Sequence, residues 1–251
     1  MEAPTFGSVI LAGIVLKLGF YLYLRLVVFL FYYALYYFCS FIFLIALIGL
    51  YFSSFAALSQ VDMKKIVAYS SISHMNFSLI GLFSMNLIGI IGSFFMLFGH
   101  AIVSSALFMC IGVLYDRYKT RSILYFGGLV LLMPLFISFF FFFILGNFSL
   151  PGTVNFVGEF TVFLGGFLFS NVVIFFSLIG LLCTLIYSLL LYTRISNGKL
   201  KVNFIRFYSD LVRREFYILF PFVCSLFYIG IFPNFIFDLN FSSIFFYYYY
   251  I

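Results

Sequence analysis

Four ionisable side chains stand inside long apolar runs: Lys17, His74, His100 and Glu159. A charge at the centre of a bilayer costs at least ~2.5 kcal/mol, so such residues are rare and mark ion or proton pathways. One amine, two imidazoles and one carboxylate are the groups a proton relay needs. Histidine changes charge near neutrality, and burial moves lysine and carboxylate toward it from opposite sides. Each of the four lies in a different run, at similar depth.

The neighbours of each residue shape what it can do. Lys17 lies mid-way along the first run. Its stem reaches about 6 Å and the interface is roughly 15 Å away, so it cannot easily extend its amine to water. Arg25 is two turns further on, close enough to the outer end to snorkel, and receives no role. On a helix, Ser70, Ser71, His74 and Ser78 share a face. Two readings stand there: a hydroxyl stripe that carries water, or serines bonded to their own backbone. Ser104 sits one turn beyond His100, and Gly99 and Ala101 permit close helix approach. Glu159 follows Pro151-Gly152, which removes a backbone donor and interrupts helical pairing. Broken backbone at membrane depth is tolerated only inside protein or beside a watery cavity. The carboxylate is expected in the first turn of the second half-helix, at the positive end of its dipole. A structural ion pair with another chain is the competing reading.

The elements that must hold these groups follow from length and charge. The chain has 251 residues, 66% of them hydrophobic and only 8% charged. Apolar stretches long enough to cross a bilayer recur from end to end, and about 20 residues suffice for each. The expected fold is all-α: a single transmembrane bundle over residues 1–251. Seven spans are expected, at about 5–30, 37–58, 64–85, 88–114, 127–169, 171–194 and 215–236. The fifth is interrupted near 147–155. Lys64, Lys65, Arg117, Lys119, Arg121, Arg194, Lys199, Lys201, Arg206, Arg213 and Arg214 fall on alternate connections. These are eleven of the 13 basic residues. The connections near 31–36, 86–88 and 169–171 carry no charge. The positive-inside rule puts the basic loops on the matrix or cytoplasmic side. The chain would then start inside and end outside.

Composition also excludes. The net charge of +6 is confined to short loops, which argues against nucleic-acid binding. Cys39, Cys110, Cys183 and Cys224 stand singly, with neither CxxC nor Cys/His pairing, and read as inert thiols. No HExxH motif or paired carboxylates support an intramembrane hydrolase. The run Phe139–Phe143 reads as lipid-facing bulk, and Tyr247–Tyr250 as an interfacial anchor. The 42 Phe and 20 Tyr, with no Trp, fit an AT-rich organelle genome. Glu2 is acidic and no basic stretch precedes the first run, unlike a presequence or secretory signal.

Several segments carry a specific resemblance. They are Glu2-Ala3-Pro4-Thr5 through Lys17-Leu18-Gly19, Asp62-Met63-Lys64-Lys65, Ser73-His74-Met75-Asn76, Gly99-His100, and Tyr115-Asp116-Arg117. Further along come Leu150-Pro151-Gly152-Thr153, Gly158-Glu159-Phe160, Arg214-Glu215-Phe216 and Pro233-Asn234. In collinear order they resemble the chain 4 family of mitochondrial NADH:ubiquinone oxidoreductase, complex I. The resemblance implies an antiporter-like, proton-pumping subunit of the membrane arm, in the mitochondrial inner membrane. It implies that Lys17 is the central lysine of a polar axis, His74 and His100 the connecting histidines, and Glu159 the terminal acidic residue. It also implies no flavin, iron–sulfur cluster, quinone or metal in this chain, with redox cofactors in other subunits. Its partners would be neighbouring membrane-arm subunits and lipids. The family has about fourteen helices and this chain resembles only the carboxy-terminal half, so either a separate polypeptide supplies the rest, which is the expectation, or the sequence is a piece of a longer chain. The alternatives are a subunit of a multisubunit cation/proton antiporter, and a structural membrane-arm subunit that no longer pumps.

Overall fold

In a computed structural model, residues 4–28, 30–201, 208–234 and 236–238 are described. The segment 247–250 lies outside them, as do Glu2, Ala3 and Arg206. Helices account for nearly all of the rest. Apolar side chains turn toward one another or toward lipid, and in hydrocarbon a backbone must satisfy its own donors and acceptors, which a helix does.

The first rod runs from Thr5 to Val27. It comprises α1 (Thr5–Ile10), a π-helical turn (Leu11–Val15), α2 (Leu16–Leu22) and a second π-helical turn (Tyr23–Val28). Then follow α3 (Tyr32–Ser59), α4 (Met63–Phe83), α5 (Leu87–Tyr118), α6 (Pro134–Asn147), α7 (Val154–Phe169), α8 (Asn171–Ser196) and α9 (Arg213–Ile231). The first rod and α3, α4, α5, α8 and α9 are each long and apolar enough to cross a membrane, while α6 and α7 are shorter. Together α6 and α7 form one discontinuous helix. The all-α, multi-pass transmembrane class expected from the sequence is therefore the class observed. The four basic or acidic groups of interest ride on α2, α4, α5 and α7.

The bundle centres on α4 and α5, which have most of their surface buried by other helices. The tightest seam joins α5 to α7. A Cβ added at Gly158 would meet the Met96 backbone nitrogen at 2.6 Å, and one at Gly92 would meet that of Val162 at 2.6 Å. At Gly165 an added Cβ would collide with the backbone of Gly89. Small residues thus let the two backbones touch, the usual means of helix association where no hydrophobic force operates.

The run Phe139–Phe143 is not lipid-facing. Phe139, Phe140 and Phe143 are buried, and Phe142 is the exposed member. The reason is helical period: Phe136, Phe139, Phe140 and Phe143 share one face of α6, which packs against α5, α8 and α9. Phe139 meets Phe216 of α9 edge-on at 5.3 Å between ring centroids.

Three basic connections meet at one end of the bundle. The Met63 amide donates to the Arg121 carbonyl at 3.0 Å and the Ile123 amide to that of Val61 at 3.0 Å. The Gly128 amide donates to the Asn197 carbonyl at 3.0 Å. Arg117 donates to the backbone oxygens of Ser209 and Asp210 and pairs with Glu215. The Asp210 carboxylate accepts from the first amides of α6, Leu135 at 3.0 Å and Phe136 at 3.1 Å. A carboxylate is well suited to the exposed donors of a helix start.

Replacing Gly165 with Val should force α5 and α7 apart. Overpacking of this kind costs about 1–3 kcal/mol or more. Membrane extracts should yield less intact protein, and the remainder should melt at lower temperature; a wild-type yield and melting curve would show that the seam is not needed.

Candidate functional site

Lys17 is the second residue of α2, directly after the first π-helical turn. There the Leu16 amide reaches back to the Leu11 carbonyl, five residues away. The Ala12 carbonyl is thereby left to accept a hydrogen bond from the Lys17 ammonium. A backbone carbonyl is one of the few partners a charged amine finds inside a membrane, and π-turns of this sort cluster at functional sites. The same Nζ lies 3.0 Å from Nδ1 of His100. A charged lysine can only donate, so Nδ1 is then the acceptor and the imidazole proton stands on Nε2.

The chain of contacts continues across the bundle. His100 and His74 lie with ring centroids 5.6 Å apart, tilted by 46°. His74 Nδ1 is 3.6 Å from Oε1 of Glu159. Both histidines are buried to within 1% of exposure. Four helices thus contribute one group each, and all four groups adjoin in the order Lys17, His100, His74, Glu159. Both nitrogens of His74, Nε2 of His100 and Oε1 of Glu159 have no hydrogen-bond partner among the described residues. Buried polar atoms are normally satisfied, so a cluster of unsatisfied ones in an apolar bundle sets this locus apart.

The serines are buried too, and their hydroxyls bond to their own helices. Ser70 donates to the Val67 carbonyl at 2.8 Å, Ser71 to the same oxygen at 3.1 Å and Ser78 to that of Met75 at 2.8 Å. Ser104 donates to the His100 carbonyl at 2.6 Å. Their protons are engaged in the backbone, so the backbone-bonded reading describes the donors.

The break holds the far end of this site. Ser149 and Gly152 have φ of 59° and 97°, left-handed values that turn the chain between α6 and α7. Glycine takes such a φ without strain. The Leu150 amide reaches back to Leu145 at 3.1 Å, and Asn155 Nδ2 donates to the Gly146 carbonyl at 2.8 Å. Asn155 thereby stitches the two half-helices and satisfies a carbonyl freed by the interruption. The expected position of Glu159 needs correction. The helix α7 starts at Val154, so Glu159 lies in its second turn. The helix-end field fades within the first turn, so the dipole has little hold on this carboxylate. Pairing with His74 replaces it.

Sequence reasoning passed over several polar groups at this end. Asn147, the last residue of α6, sits beside His74, and Ser149 beside Glu159. Tyr187 of α8, 2% exposed, shares a hydrogen bond of 3.1 Å with Ser73 of α4. Small polar residues flanking Pro151 and Gly152 in an apolar run were the available signal for the first two. Tyr187 carries no such signal, because tyrosine is abundant throughout the chain. Among the described residues no cluster of three or more His, Cys, Asp or Glu side chains is placed to hold a metal.

This geometry has relatives. The profile of the family described as "NADH:quinone oxidoreductase/Mrp antiporter, TM" matches residues 1–186. The chain belongs to that family. NADH-ubiquinone oxidoreductase chain 4 of Marchantia polymorpha is 48% identical over 93% of this chain and 47% of its own length. NADH-quinone oxidoreductase subunit M of Rhodobacter capsulatus is 39% identical over 95% and 47% respectively. The chain spans about half the length of the curated relatives it matches. A chain of the respiratory complex I from Thermus thermophilus superimposes with a TM-score of 0.81 at 23% identity, over 88% of this chain and 46% of that one. A chain of the Mrp complex from Dietzia gives 0.61 at 22%, over 64% and 30%. These two likenesses concern the fold. The family member described here is an antiporter-like, multi-pass membrane chain.

Asn155→Leu removes the bond across the break and leaves the Gly146 carbonyl with the longer bond from the Ser149 amide, 3.3 Å, as its partner, a cost of about 1 kcal/mol. Hydrogen exchange at the amides of Leu150 and Thr153 should quicken in detergent-solubilised protein; unchanged protection would mean that the break is held by other contacts.

Proposed function

We propose that this chain is a proton-translocating subunit of the membrane arm of respiratory complex I, in the mitochondrial inner membrane. The observation that carries the reading is the adjacency of Lys17, His100, His74 and Glu159, one from each of four helices, inside the bundle. Protons enter from the matrix, to which the joined basic loops face. They load at Lys17, pass through the two imidazoles and reach Glu159 beside the broken helix. Each imidazole accepts at one nitrogen and releases from the other, so its ring can relay a proton without net change. Energy from NADH oxidation arrives from elsewhere in the complex as a conformational or electrostatic signal, and flavin, iron–sulfur clusters and quinone belong to other subunits.

The chain's partners on this reading are other membrane-arm subunits, lipids, and protein that corresponds to the remaining length of the relatives. Lys17 supports the last of these. It is only half-buried by this chain, on a rod that exposes Phe6, Ile14 and Leu18. An amine at that depth calls for protein cover, not lipid.

Lys17→Met in the assembled complex should lower the number of protons translocated per NADH oxidised, and Glu159→Gln should do the same, with the complex still formed. Vesicles in which proton uptake and NADH oxidation are followed together provide the test; an unchanged ratio in both variants rejects the relay.

A second reading, a subunit of a multisubunit cation/proton antiporter, is favoured by the family description and by the Mrp likeness. The two part on sodium. A complex I subunit should sustain NADH-driven proton transport in sodium-free medium, whereas an antiporter subunit should lose transport there and co-purify without NADH-oxidising activity.

A further inference from the structure

A groove runs along the first rod where it faces α4, and the Lys17–Glu159 axis does not use it. Its volume is about 240 Å³. Leu11, Ala12 and Leu16 line one side and Ala68 and Ile72 the other, with Phe108 of α5. Leu11 is 57% exposed and Ile72 43%, so the rim is apolar too. The two hydroxyls in the wall are engaged: Ser8 donates to the Thr5 carbonyl at 2.7 Å and Ser71 to that of Val67 at 3.1 Å. A buried water needs two to four polar partners, and this wall offers few, whereas a dry cavity of about 150 Å³ already takes benzene. From Lys64 to Ile72 the groove follows about 12 Å of α4. Spread over that length, its volume gives the width of a hydrocarbon chain, not of a helix, which is about 10 Å across. One end carries charge. Lys64, the second residue of α4 and 4% exposed, is the charged residue of the wall. The bond from the Met63 amide to the Arg121 carbonyl brings Arg121 to the same rim, its guanidinium 4.2 Å from the centroid of the Tyr115 ring. The neighbouring carboxylate, Asp62, pairs with Lys65 at 3.3 Å.

We propose that this groove holds one acyl chain of an anionic phospholipid from the leaflet at the basic end, with the lipid phosphate against the Lys64 ammonium. The two parts of such a molecule match the two parts of the site. Hydrocarbon meets an apolar wall for about two turns of helix, and the anion meets a cation where that wall ends. Basic residues at a membrane face attract anionic headgroups, and Arg121 and Lys65 add to that attraction at the same rim. The lipid and the protein cover inferred for Lys17 lie on different sides of the rod, since Phe6, Ile14 and Leu18 take no part in the wall. Occupancy has a consequence for the lysine. Ala12 stands in the wall and its carbonyl accepts from Lys17. An acyl chain here therefore braces, from the side of α4, the π-helical turn that positions the amine. That consequence rests on the relay reading given above, whereas the binding does not.

The test uses the whole assembled complex in phosphatidylcholine vesicles doped with phosphatidylglycerol that carries a photoreactive diazirine on one acyl chain. After illumination the label should fall on peptides covering residues 7–16 and 68–72. The same diazirine on phosphatidylcholine should label them several-fold less. Lys64→Gln should lower the phosphatidylglycerol label several-fold, Ala68→Phe should abolish it by filling the groove, and Lys65→Gln should leave it unchanged. The amount of assembled complex and the uncoupled rate of NADH oxidation show that each variant is intact, and wild-type labelling decides the matter even where a variant fails to assemble. Absence of label from these peptides overturns the proposal, and is what a protein segment or water in the groove would give. Equal labelling by both lipids, unmoved by Lys64→Gln, overturns it as well. Protons translocated per NADH test the brace: Ala68→Phe should lower the ratio, and a normal ratio separates the lipid from Lys17. If Lys17→Met leaves the ratio intact while the labelling pattern holds, the relay fails and the lipid site stands.

Discussion

Everything in this bundle depends on how closely α5 and α7 approach. Gly92 and Gly158 present no side chain where the helices cross, and the backbones touch there without an intervening layer. His100 on α5 and Glu159 on α7 can share one site only because this layer is absent. His74 then fills the space between them from α4. In water, such a seam would compete with hydrophobic burial for the same surfaces. In lipid it is the main source of specific helix attraction, and the polar site inherits its geometry from it.

The site is costly in the same terms. Two imidazoles, a carboxylate and an amine are withdrawn from water, and several of their atoms have no fixed protein partner. A stable core would replace them with leucine, since a buried ion pair seldom outdoes a well-packed apolar one. The arrangement is what a fold tolerates when its polar groups must change partners. The broken helix follows the same logic: Asn155 satisfies one carbonyl freed by the break, while Ser149 and Asn147 are left turned toward the acid and the imidazole.

Much of this was legible in the sequence because a bilayer makes polar residues conspicuous. Lys17, His74, His100 and Glu159 stand out against apolar runs whatever their tertiary neighbours, and Pro151-Gly152 announces an interruption. What could not be read was adjacency. The runs do not say that His100 lies between Lys17 and His74, since helix packing, not chain order, decides it. Placing Glu159 in a first turn assumed that the helix resumed later than it does; Val154 restarts it directly after Thr153. The phenylalanine run misled because a uniformly apolar helix has no polar face to mark its outside, so only packing against α5, α8 and α9 fixes which rings are buried. Tyr187 was lost among many tyrosines, its meaning supplied entirely by a serine on another helix.

The knot of hydrogen bonds among the three basic connections reaches beyond topology. It ties the ends of α4, α5, α6, α8 and α9 through amides, carbonyls and the Arg117–Glu215 pair. At the opposite end the cross-links described are sparser, such as Asn86 to the Gly165 carbonyl at 3.0 Å and Cys39 to that of Phe83 at 3.0 Å. A bundle clamped at one rim bends as a set of reeds does. Its members swing least near the clamp and most near the free rim. The polar groups lie between the two, where a small angular displacement of any helix becomes a change in separation comparable to the difference between a hydrogen bond and none.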